Sequence, residues 1–309
     1  MTEDAPTEGS EVTMRAIRLP VAGGPQDLVL DLVWPPVPRH GEALVKVHAA
    51  AITRDELEWP VDRLPAIPSY EVSGIVTAVA DDVDAIRVGD AVYALLPFDR
   101  DGAAAEFVSV SAGHLAPKPR TLDHVESAAV PLAALSAWQA LFDHGQLQRG
   151  QRVLILGAMG GVGHLAVQIA RARGAHVIGE ASRVNAESVR GLGAHEVLDT
   201  DTWAESGSEP VDLVFDTVGG SRFARSAVLL REGGRMVSIA EPPPEGIDAD
   251  YFVVEPNRDQ LVELTRLAEG GELRPQIDSV YPLEDARTAF ERSQARGKHG
   301  KVVLRVVED

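Results

Sequence analysis

QRVLILGAMGGVGHLAVQIARARGAHVIGEAS, residues Gln151–Ser182, holds three kinds of signal in a fixed order. Val153 to Leu156 is a short apolar run of the kind that forms a strand buried on both faces. Gly157, Gly160, Gly161 and Gly163 follow at once, and then Val162, Leu165, Ala166, Ile169 and Ala170 recur at helical spacing. Gly174 closes that helix, and His176 to Gly179 begins a second strand. A strand, glycine turn, helix and strand within about 30 residues is the context in which a glycine pattern points to dinucleotide binding.

The glycines have separate physical tasks. Backbone N–H groups at a helix start, with the positive end of the helix dipole, hold a pyrophosphate only where no side chain keeps the anion away. Gly160 and Gly161 are expected to allow that approach, and Gly163 to let the helix pack on the strand. Ala158, Met159 and Val162 complete the turn, with Ala158 where the common fingerprint has its first glycine.

Cofactor choice is read at the end of the second strand. An acidic residue about 20 residues past the glycines holds the ribose 2′-OH of NAD. Here the order is Gly179-Glu180-Ala181-Ser182-Arg183. A hydroxyl and a guanidinium suit a 2′-phosphate, so Ser182 and Arg183 favour NADP(H). The other reading leaves Arg183 on the surface and gives the ribose to Glu180.

Composition sets the limits around this unit. The 309 residues suffice for two domains. With no cysteine, thiolate nucleophiles, disulfides and thiolate-bound zinc are excluded. The net charge of −18, from 29 basic and 47 acidic residues, disfavours nucleic acid and anionic membranes as partners. No apolar run approaches a membrane span. The acidic start, 1–12, reads as a disordered tail and as neither signal nor transit peptide; with no cysteine to mark a redox compartment, the cytoplasm is the default location. The nine histidines form no metal spacing, and no metal site is expected.

Before the glycine unit lie short alternating runs: Met14 to Leu19, Leu28 to Val33, Glu42 to Ala49, Val72 to Ala80, Ala91 to Leu96 and Glu106 to Val110. They predict a β-rich, barrel-like domain. The pattern turns helical at Leu122, with Asp123 as a cap, and Leu132 to Phe142 reads as a helix. After the unit, strands and helices alternate: Val197-Leu198, Val211 to Phe215, a helix over Ser221 to Leu230, Arg235 to Ala240, a strand over Tyr251 to Val254, and a helix over Asp259 to Ala268. That alternation predicts an α/β fold with a doubly wound parallel sheet. The last elements, from Ile277 to Val307, are assigned to the first domain. The expected division is thus 13–122 with 273–309, and 123–272.

Many residues in this order carry a resemblance: Met14-Arg15-Ala16, Gly23-Gly24-Pro25, Gly74 with Val76, Val88-Gly89-Asp90, Pro131 to Trp138, the Ala158–Gly163 turn, Asp216 to Gly220, Gly233-Gly234-Arg235 and Gly300-Lys301. From Met14 to Val307 the chain resembles the medium-chain dehydrogenase/reductase superfamily, and within it the zinc-independent quinone oxidoreductases. The resemblance implies a GroES-like β-rich domain, a Rossmann NADP-binding domain, and a homodimer joined at the nucleotide domain's edge. It implies cofactor contacts from Ser136, from Thr217, Val218 and Gly219 along the ribose, and from Ile239 and Ala240 beside the nicotinamide. Phe252, Val253 and Val254 should cover the ring's other side or join the dimer edge.

Zinc alcohol dehydrogenases of this superfamily carry a cysteine where Thr53 stands here and a His-Glu pair where this chain has Tyr70-Glu71. Quinone oxidoreductases usually have asparagine at the Thr53 position. Threonine and tyrosine are poor zinc ligands. The resemblance places both loops at the nicotinamide end of the cleft, which makes Tyr70 and Thr53 the candidate proton donors. Without a metal, reduction of a conjugated carbonyl is easier than that of a simple ketone, because charge spreads through the conjugated system. The expected activity is NADPH-dependent reduction of a small conjugated carbonyl, such as a quinone, an enone or an enoyl thioester. The other reading is a catalytically silent relative that binds NADPH as a sensor or partner module.

Overall fold

The computed structural model describes residues 13–59, 62–202 and 209–307. The expected tail, 1–12, lies outside the described residues. The first part of the chain is β-rich. Strands β1 (Met14–Arg18) and β2 (Val29–Val33) pair antiparallel. Strands β3 (Glu42–Ile52), β4 (Glu71–Val79), β5 (Ala91–Leu95), β6 (Phe107–Ser111) and β7 (Ala116–Pro117) make most of a seven-stranded sheet. One edge of β3 is shared: residues 42–46 bond β6, and residues 49–52 bond a strand from the far end of the chain. Register shifts between β3 and β4 at Leu44/Val45 and Val47/Ala49 coil the sheet, as bulges do.

Helix α1 (His124–Ala128) begins at Asp123, whose side chain accepts from the Glu126 N–H while Glu126 reaches back to the Asp123 N–H. Helix α2 (Pro131–Trp138) runs into a π-helical turn, Gln139–His144. Then come β8 (Arg152–Leu156), α3 (Gly163–Ala172), β9 (His176–Ala181), α4 (Ala186–Gly191), β10 (Glu196–Asp199), β11 (Val211–Asp216), α5 (Gly220–Ser226), β12 (Leu230–Ser238) and β13 (Asp250–Tyr251). The six strands form one wholly parallel sheet in the order β10-β9-β8-β11-β12-β13. Strand order reverses between β8 and β11, and in doubly wound sheets ligands bind at the carboxyl ends of the strands flanking such a point.

The period of two explains why both faces of this sheet are covered. Val153, Ile155, Val177, Leu213, Phe215 and Val237 enter one apolar core with Leu165, Ala166, Ile169 and Ala170 of α3. Their neighbours Leu154, Leu156, Ile178, Val214 and Met236 enter a second core with Phe223 of α5. The first core continues into the β-rich sheet, so the two parts meet on apolar side chains.

After α6 (Arg258–Glu269) the chain returns: β14 (Ile277–Pro282), α7 (Ala286–Gln294) and β15 (Lys301–Arg305), with β15 pairing β3 and β14 pairing β15. Some element bounds differ from the sequence expectation. Alpha-helix α5 ends at Ser226 and gives way to a 3-10 turn, Ala227–Leu229. The strand expected over Tyr251 to Val254 is only Asp250–Tyr251. Gln139 explains the break: its side chain both donates to the Glu255 carbonyl and accepts from the Glu255 N–H, drawing that backbone off the sheet. Helix α4 was not expected, since only Val189 in it is buried.

Candidate active site

The glycine turn after β8 is held by close packing. Gly157 has φ +75°, and a side chain there would meet Thr217 Oγ1 and Val218 Cγ2, each at 2.7 Å. A Cβ on Gly163 would stand 2.1 Å from the Gly157 carbonyl oxygen, so α3 sits directly against the end of β8. No side chain caps α3, which starts from Val162. Ala158 and Met159 are buried beneath the turn, while Gly160 and Gly161 are part-exposed.

The other strand ends are stitched to this turn. Thr217 Oγ1 donates to the Leu156 carbonyl at 2.8 Å, closing the gap between β8 and β11. Asp216, fully buried, accepts from the N–H groups of Val218 and Gly219 and from Ser238 Oγ at 2.7 Å. Ser238 Oγ in turn accepts from the Ala240 N–H, which fixes Ile239 and Ala240 at the end of β12. Thus Thr217, Val218 and Gly219 follow the carboxyl end of β11, Ile239 and Ala240 that of β12, and Thr217 and Val218 pack against the glycine turn. Asp216 and Ser238 are the hidden frame of these strand ends.

At the end of β9 the two candidate groups part company. Glu180 is 1% exposed; one carboxylate oxygen accepts from the Gly157 N–H at 3.0 Å and the other meets the Arg222 guanidinium at 3.2 Å. Ser182 and Arg183 lie in the open, Arg183 with an ion pair to Asp199 at 3.4 Å.

The glycine turn also abuts the returning chain. The Gly300 N–H donates to the Met159 carbonyl at 3.3 Å, and Lys301 Cδ lies 3.4 Å from where a Gly161 side chain would begin. His164, on the first turn of α3, bridges the same seam: Nδ1 lies 2.8 Å from the Gly160 carbonyl, and Nε2 accepts from the Gln276 N–H at 2.9 Å. Burial pushes this imidazole down to about 4, so it is neutral and structural, with the proton on Nδ1.

Lys301 opens the polar corner of the cleft. Its ammonium donates to Glu71 and, at 3.3 Å, to Thr53 Oγ. Glu71 also accepts the Leu132 N–H at the start of α2, one turn before the buried Ser136. Glu56 accepts the N–H groups of Thr53 at 3.0 Å and Ser69 at 3.1 Å. Burial, with Glu71 adding repulsion, pushes the Glu56 carboxyl up to about 8, against the pull of Lys301 and the Thr53 N–H. Nearby, burial and then the charges of Lys301 and Arg54 bring Lys298 down to about 8.

A pH effect follows from Glu56. Between its ordinary 4.5 and about 8, the folded chain keeps a proton that the unfolded chain releases. Stability therefore falls as pH rises through that window. Denaturant unfolding of Glu56→Gln at several pH values should show this slope flattened. An unchanged slope would assign the proton elsewhere.

Tyr70 borders that corner, and its hydroxyl is engaged by Arg63. Its ring is fully buried among Trp59 and Phe98, at 5.6 and 5.3 Å between centroids, and its hydroxyl accepts from Arg63 at 2.7 Å. Burial first, and the Glu56 and Asp101 charges, push it up to about 12. Thr53 is part-exposed. Phe252 stacks on His144 at 4.1 Å, and Val253 is 60% exposed at the sheet's outer edge.

Comparison with known proteins places the chain in a family. Residues 39–120 match the alcohol dehydrogenase GroES-like domain, and residues 192–304 a domain described as zinc-binding dehydrogenase. The chain is 35% identical to a probable zinc-binding oxidoreductase, mitochondrial, of Arthroderma benhamiae, over 86% of this chain and 89% of that protein. It is 30% identical to the human NAD(P)H oxidoreductase RTN4IP1, mitochondrial, over 90% and 85%. The quinone oxidoreductase structure from Coxiella burnetii superposes with a TM-score of 0.88 at 30% identity, covering 96% of this chain and all of that one.

Two of those descriptions name zinc, and the residues here do not fit it. The corner offers a neutral threonine, two carboxyl groups and a lysine ammonium, with no cysteine anywhere in the chain. Among the described residues no cluster of three metal-ligating side chains occurs, and no helix is long and apolar enough to cross a membrane.

Proposed function

The chain belongs to the medium-chain dehydrogenase/reductase superfamily, in the group of the quinone oxidoreductases, and from that premise we propose that it is a metal-free, NADPH-dependent reductase of small conjugated carbonyl compounds: quinones, enones or enoyl thioesters. One observation carries the reading. The glycine turn and a polar corner built on Thr53 meet across Lys301, which supports a cofactor and an acceptor bound side by side.

The bound nicotinamide supplies a hydride. The residues that would hold it are the Ala158–Gly163 turn, Ser136, Thr217, Val218, Gly219, Ile239, Ala240 and the Phe252–Val253 stretch. Lys298 and Arg54 give local positive charge, which an anionic cofactor needs against a net charge of −18. Glu180 supports NADPH over NADH, because its carboxylate is engaged by Gly157 and Arg222 and is turned into the protein. Exposed Ser182 and Arg183 are left for the 2′-phosphate.

Loss of reduced-nicotinamide absorbance with a panel of quinones, enones and enoyl thioesters tests the activity. Tight NADPH binding without turnover of any acceptor would turn the reading toward a sensor. For the cofactor, Arg183→Ala should weaken NADPH binding about tenfold or more and leave NADH binding nearly unchanged, since a charge-assisted contact is worth roughly 1.5–3 kcal/mol. Equal losses for both nucleotides would remove Arg183 from the 2′-phosphate.

The same reading includes a homodimer. Strand β13 is the outermost of its sheet, with Tyr251 and Val253 exposed. An unpaired edge with apolar flanks is a template for a second copy. Sedimentation should give twice the chain mass, and Val253→Asp the chain mass alone. A monomeric parent protein would exclude this edge as an interface.

A further inference from the structure

Lys301 is 3% exposed and its stem runs beneath the glycine turn, so its charge is spent inside the cleft. An ammonium has three protons and accepts nothing. It donates to Glu71 and to Thr53 Oγ. A hydroxyl that accepts from an ammonium keeps its own proton for another acceptor. The Thr53 N–H is tied to Glu56, which fixes the residue's backbone at that point. In this buried group only Thr53 is part-exposed. The corner therefore directs one polarised O–H bond outward, backed by a cation in a low-dielectric setting where hydrogen bonds are strong.

We propose that Lys301 activates Thr53 to donate its proton to the substrate's carbonyl oxygen, making Thr53 the catalytic acid and Lys301 its positioning residue. The proposal rests on the reductase reading above. Where the substrate takes up a hydride at its β-carbon, a C–H bond would form there, the C=C pair would become the bond between the α-carbon and the carbonyl carbon, and the C=O π pair would move onto oxygen, giving the enol once protonated. The Thr53 O–H bond breaks as its proton moves to that oxygen. A Lys301 N–H proton moves to Thr53 Oγ, and the resulting amine regains a proton from water after product leaves. Glu71 holds Lys301 in line throughout.

Three variants test this. Thr53→Val should lose about 10²-fold or more in kcat/KM, as removal of a general acid does, while the NADPH Kd stays within about twofold. Thr53→Ser should restore activity to within about threefold of the parent. Lys301→Met paired with Glu71→Gln, which leaves no lone buried charge, should lose as much as Thr53→Val. Adding Thr53→Val to that pair should then cost nothing further, because one relay has already been broken.

A readout without cofactor or turnover accompanies them. The visible spectrum of 4-nitrophenol should show that the cofactor-free protein binds the phenolate in preference to the phenol. That preference should vanish in Thr53→Val and in the Lys301/Glu71 pair. Losses that multiply, a Thr53→Val enzyme within about threefold of the parent, or no phenolate preference would overturn the proposal. If the parent protein turns over no acceptor, the reductase reading falls and the phenolate measurement alone decides.

Discussion

Gly163→Ala should unfold at markedly lower denaturant concentration than the parent and should bind NADPH at least about tenfold more weakly. A single methyl group there would lie 2.1 Å from the Gly157 carbonyl oxygen, 2.8 Å from its carbon and 2.9 Å from Ala158 Cα. All three are backbone atoms, so no side chain can swing aside. Either α3 moves off β8 or the turn opens. The first response pulls Leu165, Ala166, Ile169 and Ala170 out of register with Val153 and Ile155. Overpacking of this kind costs about 1–3 kcal/mol. The second response displaces the N–H groups that would hold the pyrophosphate. Gly191→Ala is the control. Its Cβ would have open space, it sits at the end of α4, and helix propensity favours alanine there by up to about 1 kcal/mol. Equal stability and equal NADPH affinity in Gly163→Ala would mean that the turn and helix are not packed in this way.

This glycine was legible because its signal is local. A strand, a turn and a helix face can be recognised from spacing within a few dozen residues, and the β8–α3–β9 unit was. The polar corner was not. Lys301 lies 248 residues from Thr53 and 230 from Glu71 along the chain. A lysine opening a C-terminal strand reads like any solvated lysine until the sheet closes β15 onto β3. Gly300-Lys301 did stand among the residues that carried the family resemblance, but nothing in the pattern gave the lysine a task. Glu180 illustrates the converse. Its position suggests a ribose contact, yet its carboxylate is taken up by Gly157 at the end of β8 and by Arg222 of α5. The family resemblance makes Tyr70 a candidate donor by placing its loop at the nicotinamide end of the cleft. Its hydroxyl is instead engaged by Arg63, seven residues earlier, a contact no local pattern announces.

Glu71→Ala should be among the most damaging single changes outside the apolar core, with a loss of about 3–5 kcal/mol, the usual consequence of stranding one member of a buried ion pair. Lys301 and Glu71 have 4% and 1% of their side chains exposed, so water does not screen the pair. Removing the carboxylate leaves the ammonium with Thr53 Oγ as its hydrogen-bond acceptor and takes from the Leu132 N–H its acceptor at the start of α2. A net stability of about 5–15 kcal/mol is ordinary for a folded chain, so this loss approaches unfolding. The second half of the cycle separates the pair from the site. Lys301→Met alone strands Glu71, which then faces Glu56 without an intervening cation. With both changes made together, no charge is left without its partner, and the double variant should be more stable than either single one. Urea unfolding of the four proteins gives the coupling directly; a double variant more stable than either single one needs a coupling larger than each single loss, about 3 kcal/mol or more, at the upper end of what contacting residues show. Additive losses would mean that Lys301 and Glu71 do not share a proton-bearing contact in solution, and the lysine would then be free to serve the cofactor's phosphates instead of Thr53.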